Sequence, residues 1–341
     1  MRKLLFMAGT AALVACSTSK DTASTENPIN VDYSAKYAET ITAKDLGKHL
    51  FVYASDEFEG RDTGEPGQKK AVNYLKDFYI SQGITSPLGG SDYFQEIPSA
   101  YLSNNRRGMT IKDSENVVAF IKGTEKPDEI VVISAHLDHE GVKNGKIYNG
   151  ADDDGSGTVA ILEIAEAFKK ASDAGKGPKR SILFLHVTGE EKGLLGSKYY
   201  TENPIFPLAN TVTDLNIDMI GRIDERHKGN PNYIYLIGSD KLSTELHNLS
   251  ETINTKYTNI NLDYKYNDDN DPNRFYYRSD HYNFAKHNIP IIFYFNGTHA
   301  DYHQPSDTPD KINYELLELR TRLVFHTAWE VANRANRIKL D

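Results

Sequence analysis

The chain has 341 residues, 39% of them hydrophobic and 26% charged, with a formal net charge of -9. That is an ordinary globular make-up, long enough for one large domain or two small ones. No basic patch stands out, which argues against nucleic acid as a partner, and the acidic residues gather around histidine-containing segments.

The chain opens with Arg2 and Lys3, followed by an apolar stretch over residues 4–15. That stretch is too short to span a bilayer and reads as a signal peptide. It ends in Leu13-Val14-Ala15-Cys16, which resembles the bacterial lipobox. The expectation is removal of residues 1–15, a lipid on Cys16, a polar tether over residues 16–35 and a folded domain over residues 36–341. Such a protein is an exported bacterial lipoprotein, anchored to a membrane and facing the periplasm or the outside. Cys16 is the only cysteine, so an internal disulfide is excluded. No later segment has the length and apolarity of a transmembrane helix.

Helical spacing runs over residues 43–53 and 68–80, and between them lies a loop rich in charge and glycine, residues 57–64. A strand is expected at 116–121. The run Glu129-Ile130-Val131-Val132-Ile133-Ser134 is short, continuous and β-branched, as a buried central strand is. After Gly157, Ile161, Ile164, Ala165 and Phe168 form one helical stripe. Further strands are expected at 181–187, 214–218, 233–237 and 290–295, and helices at 240–254 and 314–334. Buried strands alternating with amphipathic helices predict an α/β sandwich with helices on both faces. In such sheets, sites form beyond the carboxyl ends of the strands.

Residues of metal-ligand type stand at those ends. They are His136-Leu137-Asp138, the run Gly150-Ala151-Asp152-Asp153-Asp154-Gly155-Ser156-Gly157, Glu190-Glu191, Asp218 and His303. Neutral imidazole and carboxylate are the ligands of a reactive zinc. Hydrolytic sites with two metals need a carboxylate that bridges the ions. Each piece alone has a blander reading: a surface pair, a helix cap, an exposed glutamate pair. Asp218 is the exception, because an unpaired carboxylate in an apolar strand is costly. There is no His-Glu-x-x-His, so the helix-borne single-zinc protease site is excluded.

Taken together, His136-x-Asp138, Gly150-Ala151-x-Asp153-x-x-Ser156-Gly157, Glu190-Glu191-x-Gly193, Ile217-Asp218-Met219, Ser279-Asp280-His281 and Tyr302-His303-x-x-x-Asp307 resemble the M28 family of zinc aminopeptidases in its compact form. The resemblance covers roughly residues 40–335. It implies one α/β/α sandwich domain of the zinc-exopeptidase type, with a mixed, largely parallel central sheet. It also implies two zinc ions and peptide substrates. Carried over by position, one zinc takes His136 and Asp218, the other takes Glu191 and His303, and Asp153 bridges them. The residues alone rank neither Asp153 over Asp152 and Asp154, nor Glu190 over Glu191; the family pattern makes Asp153 the bridge and Glu190 the general base and acid. Asp138 would support His136 by accepting a hydrogen bond from its other ring nitrogen, and Tyr302 would donate to the developing oxyanion. His139, His186 and His281 match no ligand position. Glu57, Glu59 and Asp280 are weak candidates for holding a substrate ammonium. The rival readings are a one-zinc glutaminyl cyclase, a carboxypeptidase of the same family, and a peptide-binding lipoprotein with a dead site.

Overall fold

Short apolar runs build the centre of the molecule. The computed structural model describes residue 4 and residues 31–104 and 110–341; Cys16 and most of the apolar leader lie outside them. Residues 32–341 form one compact unit.

Helices α1 (Tyr33–Ala38), α2 (Ala43–Tyr53) and α3 (Pro66–Ser81) lead into strand β1 (Phe94–Ile97) and helix α4 (Ser99–Leu102). Strands β2 (Ser114–Ile121) and β3 (Lys126–His136) come next, then a hairpin of β4 (Gly141–Lys143) and β5 (Lys146–Tyr148). Helix α5 (Gly157–Asp173), β6 (Arg180–Val187), α6 (Leu195–Glu202) and β7 (Thr211–Ile217) follow. The remaining elements are β8 (Tyr233–Ile237), α7 (Thr244–Tyr257), β9 (Asn261–Asp263), α8 (His281–Ala285), β10 (Ile291–Phe295) and the long α9 (Tyr314–Asn333).

Eight strands form one sheet in the order β1-β2-β6-β3-β7-β10-β8-β9. Four of its seven pairings are parallel, so the sheet is mixed and largely parallel as expected. Successive residues of a strand face opposite layers. Val131, Ile133 and Ala135 of β3 pack with α2, α5 and α9, whereas Ile130 and Val132 pack with Tyr200 of α6 and Phe284 of α8. The protein is therefore an α/β/α sandwich.

The tether boundary needs correction. Residues 33–35 open α1 rather than belonging to the tether. Asp32 caps that helix by accepting from the Ala35 amide. Tyr37 and Ala38 are buried, and Tyr37 stacks on Trp329 at 5.9 Å. Apolar burial holds the segment down despite its polar neighbours.

One buried acid lies away from the strand ends. Glu163 on α5 is 2% exposed, and its Oε1 is 3.6 Å from Nε2 of His49. Burial, with the charges of Glu166 and Asp45 nearby, pushes it up from 4.5 to about 8. Between those values the fold keeps the proton and the unfolded chain releases it. Stability should therefore fall as pH rises across that window. Glu163→Gln is expected to lose less stability than the parent between pH 5 and 8.5 in thermal melts; equal losses would refute the assignment.

Candidate metal centre

The parallel strands β6, β3, β7 and β10 are neighbours in the sheet, so their carboxyl ends open on one side. His136 is the last residue of β3. Glu190 and Glu191 follow β6, Asp218 follows β7, and Tyr302 and His303 lie on the loop after β10. Asp152, Asp153 and Asp154 stand between the β4–β5 hairpin and α5.

The three consecutive aspartates do three different jobs. Asp152 accepts from the Gly221 amide at 2.7 Å through Oδ1. Its Oδ2 meets the Asn296 amide group and His299 Nε2, both at 3.1 Å, which fixes the start of the loop bearing His303. Asp154 accepts from the backbone amides of His136, Gly157 and Met219 at 3.2, 2.9 and 3.0 Å. It staples β3, α5 and the end of β7 together. A Cβ at Gly157 would collide with that carboxylate, so the first residue of α5 must be glycine. Only Asp153 leaves both oxygens facing the strand ends. Oδ1 lies 3.1 Å from His136 Nε2, and Oδ2 lies 3.0 Å from His303 Nε2. Burial works against its ionisation, yet the imidazoles of His136 and His303 hold its carboxyl well below the usual carboxylate range.

Two donor groups result. His136 Nε2, Asp153 Oδ1 and Asp218 Oδ1 converge, with the Asp218 oxygen 3.6 Å from His136 Nε2. On the other side of Asp153, His303 Nε2 lies 3.3 Å from Glu191 Oε2. Buried side-chain atoms normally find hydrogen-bond partners. Here His136 Nε2, Asp153 Oδ2 and Glu191 Oε1 are buried and have none. Orphaned imidazole and carboxylate donors pointing at common points fit zinc.

The surrounding residues orient these donors. The Ser279 hydroxyl donates to Asp218 Oδ2 at 2.6 Å and in turn accepts from the Asn216 side-chain amide at 2.9 Å. Asp307 Oδ2 accepts from the backbone amides of Asp152 and Asp153 at 2.9 and 3.2 Å. Asp138 departs from expectation. His136 Nδ1 lies 3.0 Å from the Asp138 backbone carbonyl but 3.8 Å from its carboxylate. The turn after β3 folds the carbonyl back onto the ring. The carboxylate instead accepts from the Thr63 hydroxyl at 2.8 Å and the Glu190 amide at 3.1 Å. Asp138 therefore positions the glutamate loop as well as His136.

Glu190 and Glu191 are now distinguishable. Glu191 is aimed at His303 and Asp153, whereas Glu190 lines the cavity over the donors without an ion-pair partner among the described residues. Burial pushes the Glu190 carboxyl well above its ordinary value. That cavity has an apolar wall of Met219, Phe275, Phe293 and Phe295 and is flanked by Tyr302 and Arg278. Tyr302 stacks on His303 at 4.0 Å between ring centres, and its hydroxyl accepts from Arg278 Nη2 at 3.2 Å. Glu57, Glu59 and Asp280 do not line it. Asp280 is fully buried, accepts from the Ser197 hydroxyl at 2.5 Å, and is raised by burial to about 7.

His186 and His281 are structural, as the sequence suggests. His186 Nε2 pairs with the Tyr79 hydroxyl at 2.7 Å, and His281 Nε2 with the Tyr276 carbonyl at 2.8 Å. His139 is different. It is fully buried, with Nδ1 2.9 Å from Glu191 Oε1. The only sequence signal is its place three residues after His136 and directly after Asp138, at the strand-end motif.

The model of peptidase family M28 matches residues 116–328. Leupeptin-inactivating enzyme 1 of Streptomyces exfoliatus is 30% identical over 254 residues, covering 74% of this chain and 48% of that protein. The chain thus spans about half the length of that curated relative. The fold is shared with the Legionella pneumophila LapA aminopeptidase, at a TM-score of 0.67 and 21% identity over 89% of this chain and 75% of that one. It is also shared with a glutaminyl cyclase of Bacteroides thetaiotaomicron, at 0.63 and 16% over 85% and 98%. The matched segment covers more than half of the chain and contains all the donors from His136 to His303, and on that ground the chain belongs to peptidase family M28.

Proposed function

We propose that the protein is a two-zinc aminopeptidase that removes amino-terminal residues from peptides. The observation that carries this reading is Asp153, which turns one carboxylate oxygen to each donor group. His136 and Asp218 would hold one zinc, Glu191 and His303 the other, and Asp153 both. Zinc bound there acidifies a water and polarises the scissile carbonyl.

The chain's own residues supply the rest. Glu190, unpaired and lining the cavity together with Asp153, accepts the proton of the attacking water and passes it to the leaving amine. Because Arg278 donates to the Tyr302 oxygen, the phenolic proton is free to turn toward the developing oxyanion. The wall of Met219, Phe275, Phe293 and Phe295 takes an apolar first side chain and excludes water from it.

The test is metal content together with a substrate panel. Purified protein should hold close to two zinc ions, lose activity on chelation and regain it with zinc or cobalt. It should cleave leucyl and phenylalanyl amides and ignore the same peptides once their amino group is acetylated. One ion per active chain would favour the glutaminyl cyclase reading, and cleavage of blocked peptides from the carboxyl end would favour a carboxypeptidase.

We also propose that Cys16 carries a lipid that anchors the exported protein to a membrane, on the strength of Leu13-Val14-Ala15-Cys16 closing the apolar leader. No helix among the described residues is long and apolar enough to cross a membrane. Cys16→Ser should move the protein into the soluble fraction with turnover unchanged; continued membrane partitioning of that variant contradicts the anchor.

A further inference from the structure

We infer that His139 is a fourth protein ligand of the second metal, through Nδ1. The inference rests on the two-metal reading and extends its ligand set, which leaves His139 out.

The ring is fully buried on the turn after β3, and neither of its nitrogens has a hydrogen-bond partner. A buried polar group without a partner costs free energy, so such a group in a native fold calls for an occupant. Nδ1 lies 2.9 Å from Glu191 Oε1 and 3.8 Å from Asp153 Oδ2. Despite that closeness, Nδ1 and Glu191 Oε1 are both left unsatisfied, because they are not aligned as donor and acceptor. Two atoms that face each other in this way are placed as ligands sharing an ion. With bonds of about 2.0–2.1 Å, tetrahedral zinc ligands sit roughly 3.3–3.4 Å apart, within the range these atoms span. His303 meets the same group from the opposite side, edge-on to the His139 ring at 5.7 Å between centres.

The ring has little freedom to turn elsewhere. Gly150 lies against it with φ +53°, and a Cβ there would come within 2.5 Å of His139 Cγ. The His139 amide donates to the Arg61 carbonyl at 3.3 Å. The second site would then offer Asp153, Glu191, His303 and His139, with the water as a fifth neighbour, against Asp153, His136, Asp218 and the water for the first. The site with more protein donors should fill first.

The experiment is metal titration of the wild type and His139→Asn against a competing chromophoric chelator, with the cobalt absorption spectrum read at one equivalent. Asparagine keeps a polar amide near the position of Nδ1 but supplies no imidazole. The expected result is two ions in the wild type, at least tenfold weaker binding of the tighter ion in the variant, and a changed one-equivalent cobalt spectrum. Melts of the metal-free proteins, with His139→Gln as a second variant, separate this from misfolding. If His139→Asn binds both ions as tightly with the same cobalt spectrum, His139 only positions Glu191 and the inference is wrong. If the wild type itself holds a single ion, the two-metal reading falls, and the His139 assignment is then decided by whether the variant weakens that ion.

Discussion

Glu190→Gln is expected to keep both metals and lose turnover by a factor of about 10²–10⁴, the usual worth of a positioned general base. Glutamine is close in shape to glutamate, and no donor of either cluster is altered. The Asp138 contact to the Glu190 amide is made by the backbone and survives the change. Excess zinc should not restore the rate, because what is missing is a proton acceptor. Glu191→Gln should do the opposite. It removes a carboxylate whose oxygens face His139 and His303 at 2.9 and 3.3 Å. The second metal should bind more weakly and activity should return in part at high zinc. Metal analysis beside kcat decides the matter. A Glu190→Gln protein that loses a zinc, paired with a Glu191→Gln protein that keeps both and is inactive, reverses the two roles.

How much of this was readable in the sequence depended on range. Residues 43–53 declare a helix by spacing, and the structure adds only the Thr42 cap. The continuous apolar runs place β3 and β6 because central parallel strands are apolar on both faces. The short elements α4, α6, α8, β4, β5 and β9 carry too few residues for any period to show. Within the site, residue type and order were legible but direction was not. Asp152, Asp153 and Asp154 are chemically identical in sequence. They are sorted by partners far along the chain: Gly221 and Asn296 for the first, His136 and Met219 for the last. His303 adopts φ 52°, and Met219, next to Asp218, φ 60°. Non-glycine residues enter that left-handed region only where tertiary contacts hold them, so no local pattern announces it. Residues 57–64 read as a charged loop, which hid the most deeply buried member of the segment, Arg61.

Arg61→Met is expected to lower stability by about 3–5 kcal/mol and to loosen the metal centre with it. Arg61 is fully buried and adopts φ 53°. Its guanidinium lies over the Tyr53 ring at 4.7 Å. It donates to four backbone carbonyls: Leu137 at 3.1 Å, Tyr53 at 3.1 Å, Asn149 at 2.7 Å and Gly150 at 2.9 Å. Leu137 separates His136 from Asp138, and Asn149 and Gly150 lead into the aspartate run. One side chain thus clamps the two segments that bring His136 and Asp153 together. Methionine fills much of the volume but donates nothing. Leu137 keeps the Tyr53 hydroxyl and Gly150 keeps the Gly155 amide, so the heaviest losses fall on the other two carbonyls. An unsatisfied buried acceptor costs about 1–3 kcal/mol, which sets the range. For a domain of this size the melting midpoint should drop by roughly 10 °C. Arg61→Lys should recover only part, since an ammonium is a point donor and the four carbonyls need a fork. Zinc binds the folded state alone, so saturating zinc should offset some of the loss in Arg61→Lys, where the loops still meet. Calorimetry of the metal-free and zinc-loaded forms reads both effects. A loss under about 1 kcal/mol in Arg61→Met would mean that the two segments hold their places without the clamp.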